Sequence, residues 1–146
     1  MPEKEYECMR LDQQLCFPLY AAARKVTGYY TPYLKKTGLT YTQYIVLLVL
    51  WEKDSVPVSQ IGERLYLDSG TLTPLLKKME EKGWVKRTRS KEDERVVMIS
   101  LTKEGKDLQK RCKDIPDSVG KCIRLNKEDA ENLYRILYQI LKEEDA

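Results

Sequence analysis

The chain has 146 residues, 34% of them charged and 42% hydrophobic, with a formal net charge of +3. That is one domain's length with enough apolar residues for one core, no apolar run approaches the roughly 18 residues a membrane helix needs, and the polar stretch Met1–Arg10 has no secretory pattern, so a cytoplasmic location is expected. Histidine is absent, which excludes Ser-His-Asp and Cys-His nucleophile systems, removes the commonest nitrogen ligand for metals, and leads to no expected metal or cofactor; the small net charge confines any nucleic-acid footprint to a local patch.

Leu11, Leu15 and Leu19 recur every four residues and predict a first helix running to about Tyr30. Pro18 conflicts with that pattern, because an interior proline removes a hydrogen bond and clashes with the preceding turn. Either the helix is kinked there or its regular part starts near Cys16, which would place Cys16 at the positive end of the helix dipole. Pro32 and Gly38 mark Thr31 to Gly38 as a break. Thr40-Tyr41-Thr42-Gln43 is a capping box that opens a second, heavily apolar helix through Trp51. Val58 to Leu65 reads as a short amphipathic helix with Ile61 and Leu65 inward. Asp68-Ser69-Gly70 reads as a turn and cap, and Thr71 to Lys82 as the next helix, with Gly83 as its stop. Pro74 falls in its first turns, where a missing N–H is tolerated.

The period then changes to two. Trp84–Thr88 and Arg95–Leu101 predict a β-hairpin with the charged stretch Arg89–Glu94 at its tip. Thr102 caps a long helix that Ile115-Pro116 would bend or interrupt. Asn126 caps the last helix, where Leu133, Ile136, Leu137, Ile140 and Leu141 form one apolar stripe. Either a partner chain or the domain itself could cover that stripe.

The order of elements is that of a winged helix-turn-helix: mainly α with a small β-wing. In such a fold the second helix of the pair enters the major groove by its N-terminal residues. Here those are Ser69, Gly70, Thr71 and Thr73, small enough for close approach, with Lys77 and Lys78 following within reach of phosphates. The wing carries Lys86, Arg87, Arg89, Lys91 and Arg95, and an arginine at its tip could enter the minor groove. Asp93 and Arg95 are expected to form an ion pair that shapes the tip. On charge alone, the hairpin could equally be a solvated surface; the helix-turn-helix order favours double-stranded DNA as partner.

Four cysteines stand at Cys8, Cys16, Cys112 and Cys122, none in a C-x-x-C spacing. On periodicity alone Cys16 reads as a packed core thiol. Eight of the ten tyrosines lie at or before Tyr66, and phenols can donate hydrogen bonds to a buried anion.

Asp93-Glu94-Arg95 followed by Ile99-Ser100-Leu101-Thr102-Lys103-Glu104-Gly105 resembles the wing and helix-start signature of the MarR family of transcription regulators. Gln14-Leu15-Cys16-Phe17, Leu39-Thr40-Tyr41-Thr42-Gln43-Tyr44, Leu50-Trp51-Glu52 and the run from Gly62 to Lys77 are similar to the organic hydroperoxide resistance branch, with SarZ-type thiol sensors close by. The resemblance covers about Leu11 to Pro116. It implies a single domain, 1–146, with helices in 11–32 and 102–144 forming a homodimer and 41–101 reading a palindromic operator. It further implies a repressor, not an enzyme, whose Cys16 is oxidised by organic hydroperoxides or related oxidants while Tyr30 and Tyr41 of the partner subunit, with Tyr20 nearby, hydrogen-bond the sulfur. Phenol donors favour the thiolate, which attacks peroxide and becomes a sulfenic acid. Some members add a resolving cysteine shortly after the Ile/Val-Pro pair. Cys122 falls near that place, one residue late by a helical register, with Cys112 the second choice and Cys8 a spectator. Many MarR relatives instead bind phenolic or other small ligands, in which case the aromatic set would line a pocket and Cys16 would be incidental. No peroxiredoxin-like Pro-x-x-x-Thr-x-x-Cys block is present.

Overall fold

The computed structural model describes residues 2–143, so residue 144, the expected end of the second dimerisation segment, lies outside them. A single turn, α1 (Pro2–Glu5), and two short 3-10 turns, Glu7–Met9 and Leu11–Gln13, precede the first long helix, α2 (Cys16–Lys35). The second of the two readings of Pro18 is the one observed. The helix begins at Cys16, and Pro18 is its third residue, where its missing N–H has no intrahelical partner to lose.

The break expected from Thr31 is not there: α2 runs through Pro32 to Lys35. Proline costs a helix one bond, but the turn that ends α2 lies downstream. There Gly38 takes a φ of +79°, and the N–H groups of Gly38 and Leu39 bond the carbonyls of Lys35 and Leu34 at 3.3 Å each. Leu34 is the one buried residue of this helix.

The capping box forms as read. Thr40 Oγ1 accepts from the Gln43 N–H (3.3 Å) and Gln43 Oε1 accepts from the Thr40 N–H (2.9 Å), opening α3 (Tyr41–Glu52). A two-residue strand, β1 (Val56–Pro57), leads into α4 (Val58–Leu65). Helix α4 ends at Tyr66, which adopts a left-handed φ of 57° without being glycine, a conformation that costs an L-residue about 1–2 kcal/mol.

Helix α5 spans Ser69–Glu81, two residues earlier than expected, so Ser69 and Gly70 are helical rather than part of a turn. Pro74 is its sixth residue, beyond the first turn, so the helix forgoes one internal bond there. Gly83, at a φ of +81°, closes it: the Gly83 N–H bonds the Glu80 carbonyl (2.9 Å) and the Trp84 N–H bonds the Met79 carbonyl (3.1 Å).

The wing is β2 (Val85–Arg89) and β3 (Val97–Leu101), antiparallel with Arg87 opposite Ile99. Arg95 lies in the turn, not in a strand. The sheet has a third strand that the hairpin reading omitted: β1 pairs along the other side of β3, Val56 opposite Ile99. Thr102 Oγ1 accepts from the Gly105 N–H (3.1 Å) and caps α6 (Lys103–Cys112). Ile115-Pro116 interrupts rather than bends, and starts the separate α7 (Ile115–Gly120). Asn126 Oδ1 accepts from the Asp129 N–H (2.7 Å) and caps α8 (Lys127–Leu141).

One core joins Val46, Leu47 and Leu50 of α3, Ile61 of α4, Leu72, Leu76 and Met79 of α5, and Val85 and Ile99 of the sheet, and continues into Leu108, Cys112, Ile115 and Val119. Each such side chain contributes about 1.5–3 kcal/mol by leaving water. Gly105 is fixed by packing: a methyl group there would overlap the Trp84 carbonyl, so α6 can cross the root of the wing only on a bare Cα.

A candidate DNA-reading surface and thiol site

The first turn of α5 is built by Asp68, whose Oδ1 accepts from the Thr71 N–H at 2.8 Å. That bond, first among several, holds the Asp68 carboxyl below the usual range. Ser69, Gly70 and Thr71 are exposed, as are Lys77 and Lys78 about two turns on, while Thr73 is half-buried. Thr73 lines an open groove of about 780 Å³ between α4, α5 and the wing, together with Ser69, Tyr66, Arg87, Arg95 and Val97.

In the wing, the expected ion pair is present. Arg95 Nε and Nη2 donate to Asp93 Oδ1 and Oδ2 at 3.2 and 3.3 Å, and the Arg95 N–H donates to Oδ1 at 3.1 Å. These bonds lower the Asp93 pKa. Arg89 does not extend freely: its Nη1 donates to the Glu94 carbonyl at 2.8 Å, across the turn. Arg87 turns inward. Its N–H donates to Glu80 Oε2 (3.0 Å), its guanidinium lies 4.0 Å from Glu80 Oε1, and its Nε is buried without a partner. Lys91 is exposed at the tip. Of the cationic wing residues, Arg87 is thus a strut between wing and α5, and Glu80, unmarked by any periodicity in the sequence, is the other half of it.

A second carboxylate had no sequence signal. Asp54 Oδ1 accepts from the N–H groups of Ser55 and Leu101, both at 2.8 Å, and Lys106 stands 4.0 Å from its Oδ2. It ties the loop before β1 to the end of β3.

The cysteines differ sharply in surroundings. Cys16 is exposed at the first residue of α2, where unpaired N–H groups favour negative charge. Its neighbours Leu15, Phe17 and Leu19 are exposed too, Leu15 by 87%. Cys112 is 3% exposed, and burial pushes its thiol pKa up. Cys122 is half-buried, and its Sγ–H donates to the Ser118 carbonyl at 3.6 Å. It follows the end of α7, in a turn where its N–H bonds the Val119 carbonyl at 2.9 Å, rather than within a helix. Cys8 is exposed.

Tyr30 and Tyr41 come together, ring centroids 4.9 Å apart, with Tyr44 5.7 and 6.4 Å from each. Burial raises the pKa of Tyr30 and Tyr41 and, with the neighbouring phenols and Cys112, that of Tyr44 to about 12, so all three remain O–H donors at neutral pH. Within one chain they cannot serve Cys16. Fourteen residues of α2 separate Tyr30 from Cys16, about 21 Å at 1.5 Å per residue. Tyr20, one turn beyond Cys16 on the same helix, is exposed, with the Arg24 guanidinium 5.6 Å from its ring centre.

Comparison with known proteins gives a consistent picture. A family model described as transcriptional regulator SarA/Rot matches residues 28–112. The organic hydroperoxide resistance transcriptional regulator of Bacillus subtilis is 47% identical over 140 residues, 96% of this chain and 95% of that protein. The HTH-type transcriptional regulator SarZ of Staphylococcus epidermidis is 48% identical over 84% of this chain and 83% of its own. Among solved structures, Staphylococcus epidermidis AbfR is similar in three states. Its reduced, DNA-bound form superposes with a TM-score of 0.76 at 38% identity, covering 96% of this chain and 97% of AbfR. The overoxidized, DNA-bound form gives 0.75 at 38% identity, covering 97% and 98%. The disulfide form gives 0.65 at 37% identity, covering 97% and 100%. With 47% identity over nearly its full length to an organic hydroperoxide resistance transcriptional regulator, and a winged core arranged as described, the chain belongs to the MarR family of transcription regulators, in its organic hydroperoxide resistance branch.

Proposed function

We propose that this protein is a redox-controlled repressor: a symmetric dimer that holds a palindromic double-stranded operator and releases it when Cys16 is oxidised by an organic hydroperoxide or a related oxidant. The observation that carries this reading is the placement of Cys16. It is an exposed thiol on a helix N-terminus, in an apolar surface left uncovered by the described residues of its own chain, while Tyr30 sits about 21 Å away on the same helix with Tyr41 of α3 packed against it. A twofold axis between two copies can bring one copy's Cys16 to the other's Tyr30 and Tyr41.

In the reduced dimer the phenols hold the thiolate. The thiolate attacks the terminal oxygen of ROOH, the S–O bond forms as the O–O bond breaks, and the alkoxide leaves with a proton as ROH. Cys16 becomes a sulfenic acid. A second thiol then displaces hydroxide as water to give a disulfide. Cys122 of the partner fits that role better than Cys112, whose sulfur is buried and whose thiol form burial favours. One peroxide is consumed per site, so the role is that of a sensor rather than a catalyst.

AbfR in its overoxidized form is bound to DNA, and AbfR also has a disulfide form. This supports disulfide formation as the releasing step. Ser69, Gly70, Thr71 and Thr73 would meet base edges and phosphates in the major groove, with Lys77, Lys78, Arg89 and Lys91 on the backbone. Arg95, held by Asp93, would shape the wing that enters the minor groove, and Arg87 would position it. The redox reading is preferred to a phenolic-ligand reading because the tyrosine rings pack against one another, tilted, with centroids 4.9 and 5.7 Å apart.

The test is operator binding before and after cumene hydroperoxide. Binding should fall with peroxide and return with dithiothreitol. A Cys16→Ser protein that keeps peroxide sensitivity defeats the proposal. A covalent dimer on non-reducing gels that needs both Cys16 and Cys122 supports the two-cysteine route.

A further inference from the structure

Residues 54 apart in sequence are joined by one bond across the core: near the end of α3, the Trp51 Nε1–H donates to the Gly105 carbonyl in the first turn of α6 at 2.9 Å. On one side, the Trp51 ring meets Tyr44 edge to face, with centroids 6.4 Å apart and planes at 70°, and Tyr44 in turn touches Tyr30 and Tyr41. On the other side, the Gly105 N–H donates to Thr102 Oγ1 (3.1 Å) and the Thr102 hydroxyl donates to the Gly83 carbonyl (2.6 Å). The Thr102 N–H donates to the Trp84 carbonyl (3.1 Å). Gly83 and Trp84 are the two residues that close α5 on the carbonyls of Glu80 and Met79. The phenol pair and the C-terminal end of the groove-reading helix are therefore joined by an unbroken series of ring contacts and hydrogen bonds.

That series has little slack. Gly105 has no room for a methyl group against the Trp84 carbonyl, and Tyr44 is buried. Close-packed groups of this kind shift between discrete arrangements rather than deform smoothly. An indole fixed by a directional N–H bond at one edge and a phenol at its face can transmit a ring displacement to the backbone it holds.

We infer that Trp51 is the positioning residue that couples the sulfur's phenols to the seating of α5 and the wing root. The inference rests on the redox reading above. When Tyr30 and Tyr41 lose the partner's thiolate, Tyr44 repacks, the indole N–H moves, and the first turn of α6 shifts with the Gly83–Trp84 corner.

Trp51→Phe keeps a ring against Tyr44 and removes the donor. Reduced Trp51→Phe should bind operator within about threefold of wild type, while the loss of affinity on peroxide treatment should shrink by about fivefold or more. A merely structural tryptophan would weaken both redox forms alike; an unchanged ratio between them, with wild type still responding, overturns the coupling and leaves the redox reading standing. Wild type that keeps full affinity after oxidation overturns both. A second measurement needs no change at Trp51. In the ¹⁵N-labelled protein, the Trp51 indole resonance, told from that of Trp84 with Trp84→Phe, should shift on oxidation of Cys16, and a stationary resonance overturns the inference.

Discussion

Between Leu39 and Val119 the large apolar side chains are mostly covered by their own chain, with Leu48 and Tyr66 exposed. From Met9 to Tyr20 and from Leu125 to Leu141 none is buried. The two regions have similar apolar patterns, and helix α8 has the cleaner stripe. The difference lies in what each stripe faces. The winged centre folds three helices and a sheet onto one another, so its stripes close on themselves. Among the described residues, the start of α2 and the whole of α8 have no apolar cover from the rest of the chain. Contiguous exposed apolar surface of this kind marks an interface, and its position fits the proposed division of dimer formation to these two regions and groove reading to the middle.

The comparison breaks most visibly at α8. Ile136→Asp with Ile140→Asp should weaken the dimer by at least about a hundredfold. Four half-exposed isoleucines per dimer contribute roughly 3–6 kcal/mol, before the cost of facing carboxylates. Sedimentation should show monomers with operator binding lost, and a persistent dimer would place the interface elsewhere. In the centre, Leu47→Ala should lower unfolding stability by about 2–5 kcal/mol in urea. Leu133→Ala should act mainly on how strongly the melting temperature depends on protein concentration; equal effects of the two would erase the distinction between regions.

Smaller effects sharpen the same division. Arg89→Ala should leave dimerisation intact, weaken operator binding about three- to tenfold, and reduce the slope of log affinity against log salt by about 1. An unchanged slope would mean that Arg89 stays on the Glu94 carbonyl in the complex. The smallest effect is on pH. Asp68 and Asp93 have folded pKa values below 3.8, so their stabilisation is fully present above that value and is lost as pH falls through the depressed folded values. Acid titration followed by circular dichroism should show Asp68→Asn and Asp93→Asn proteins converging with wild type at the acid end.

Most of the fold was legible wherever a local signal sufficed. Thr40, Thr102 and Asn126 each cap the helix they were expected to cap, and Gly83 stops α5. The signals that misled were also local. Pro32 reads as a break, yet α2 absorbs it because the turn that ends the helix is set by Gly38. Strand β1 is two residues long and includes a proline, too short for any alternation to register; only its pairing with Ile99 and Met98 reveals it. The candidate reading surface was proposed from residue type, which gave no sign of its internal ties. That Arg87 turns to Glu80 and Arg89 to Glu94 depends on side-chain geometry across elements, which spacing does not encode. The Trp51–Gly105 bond, 54 residues apart, was invisible for the same reason.

The separation of Cys16 from Tyr30 along α2, with Tyr41 packed beside Tyr30, also bears on timing. On the proposed reading a newly synthesised polypeptide holds the trigger at the start of a helix and its catch about four turns away, and neither can engage until a twin arrives. Responsiveness to oxidant is thus acquired at assembly, and dilution would silence the detector and the promoter grip together.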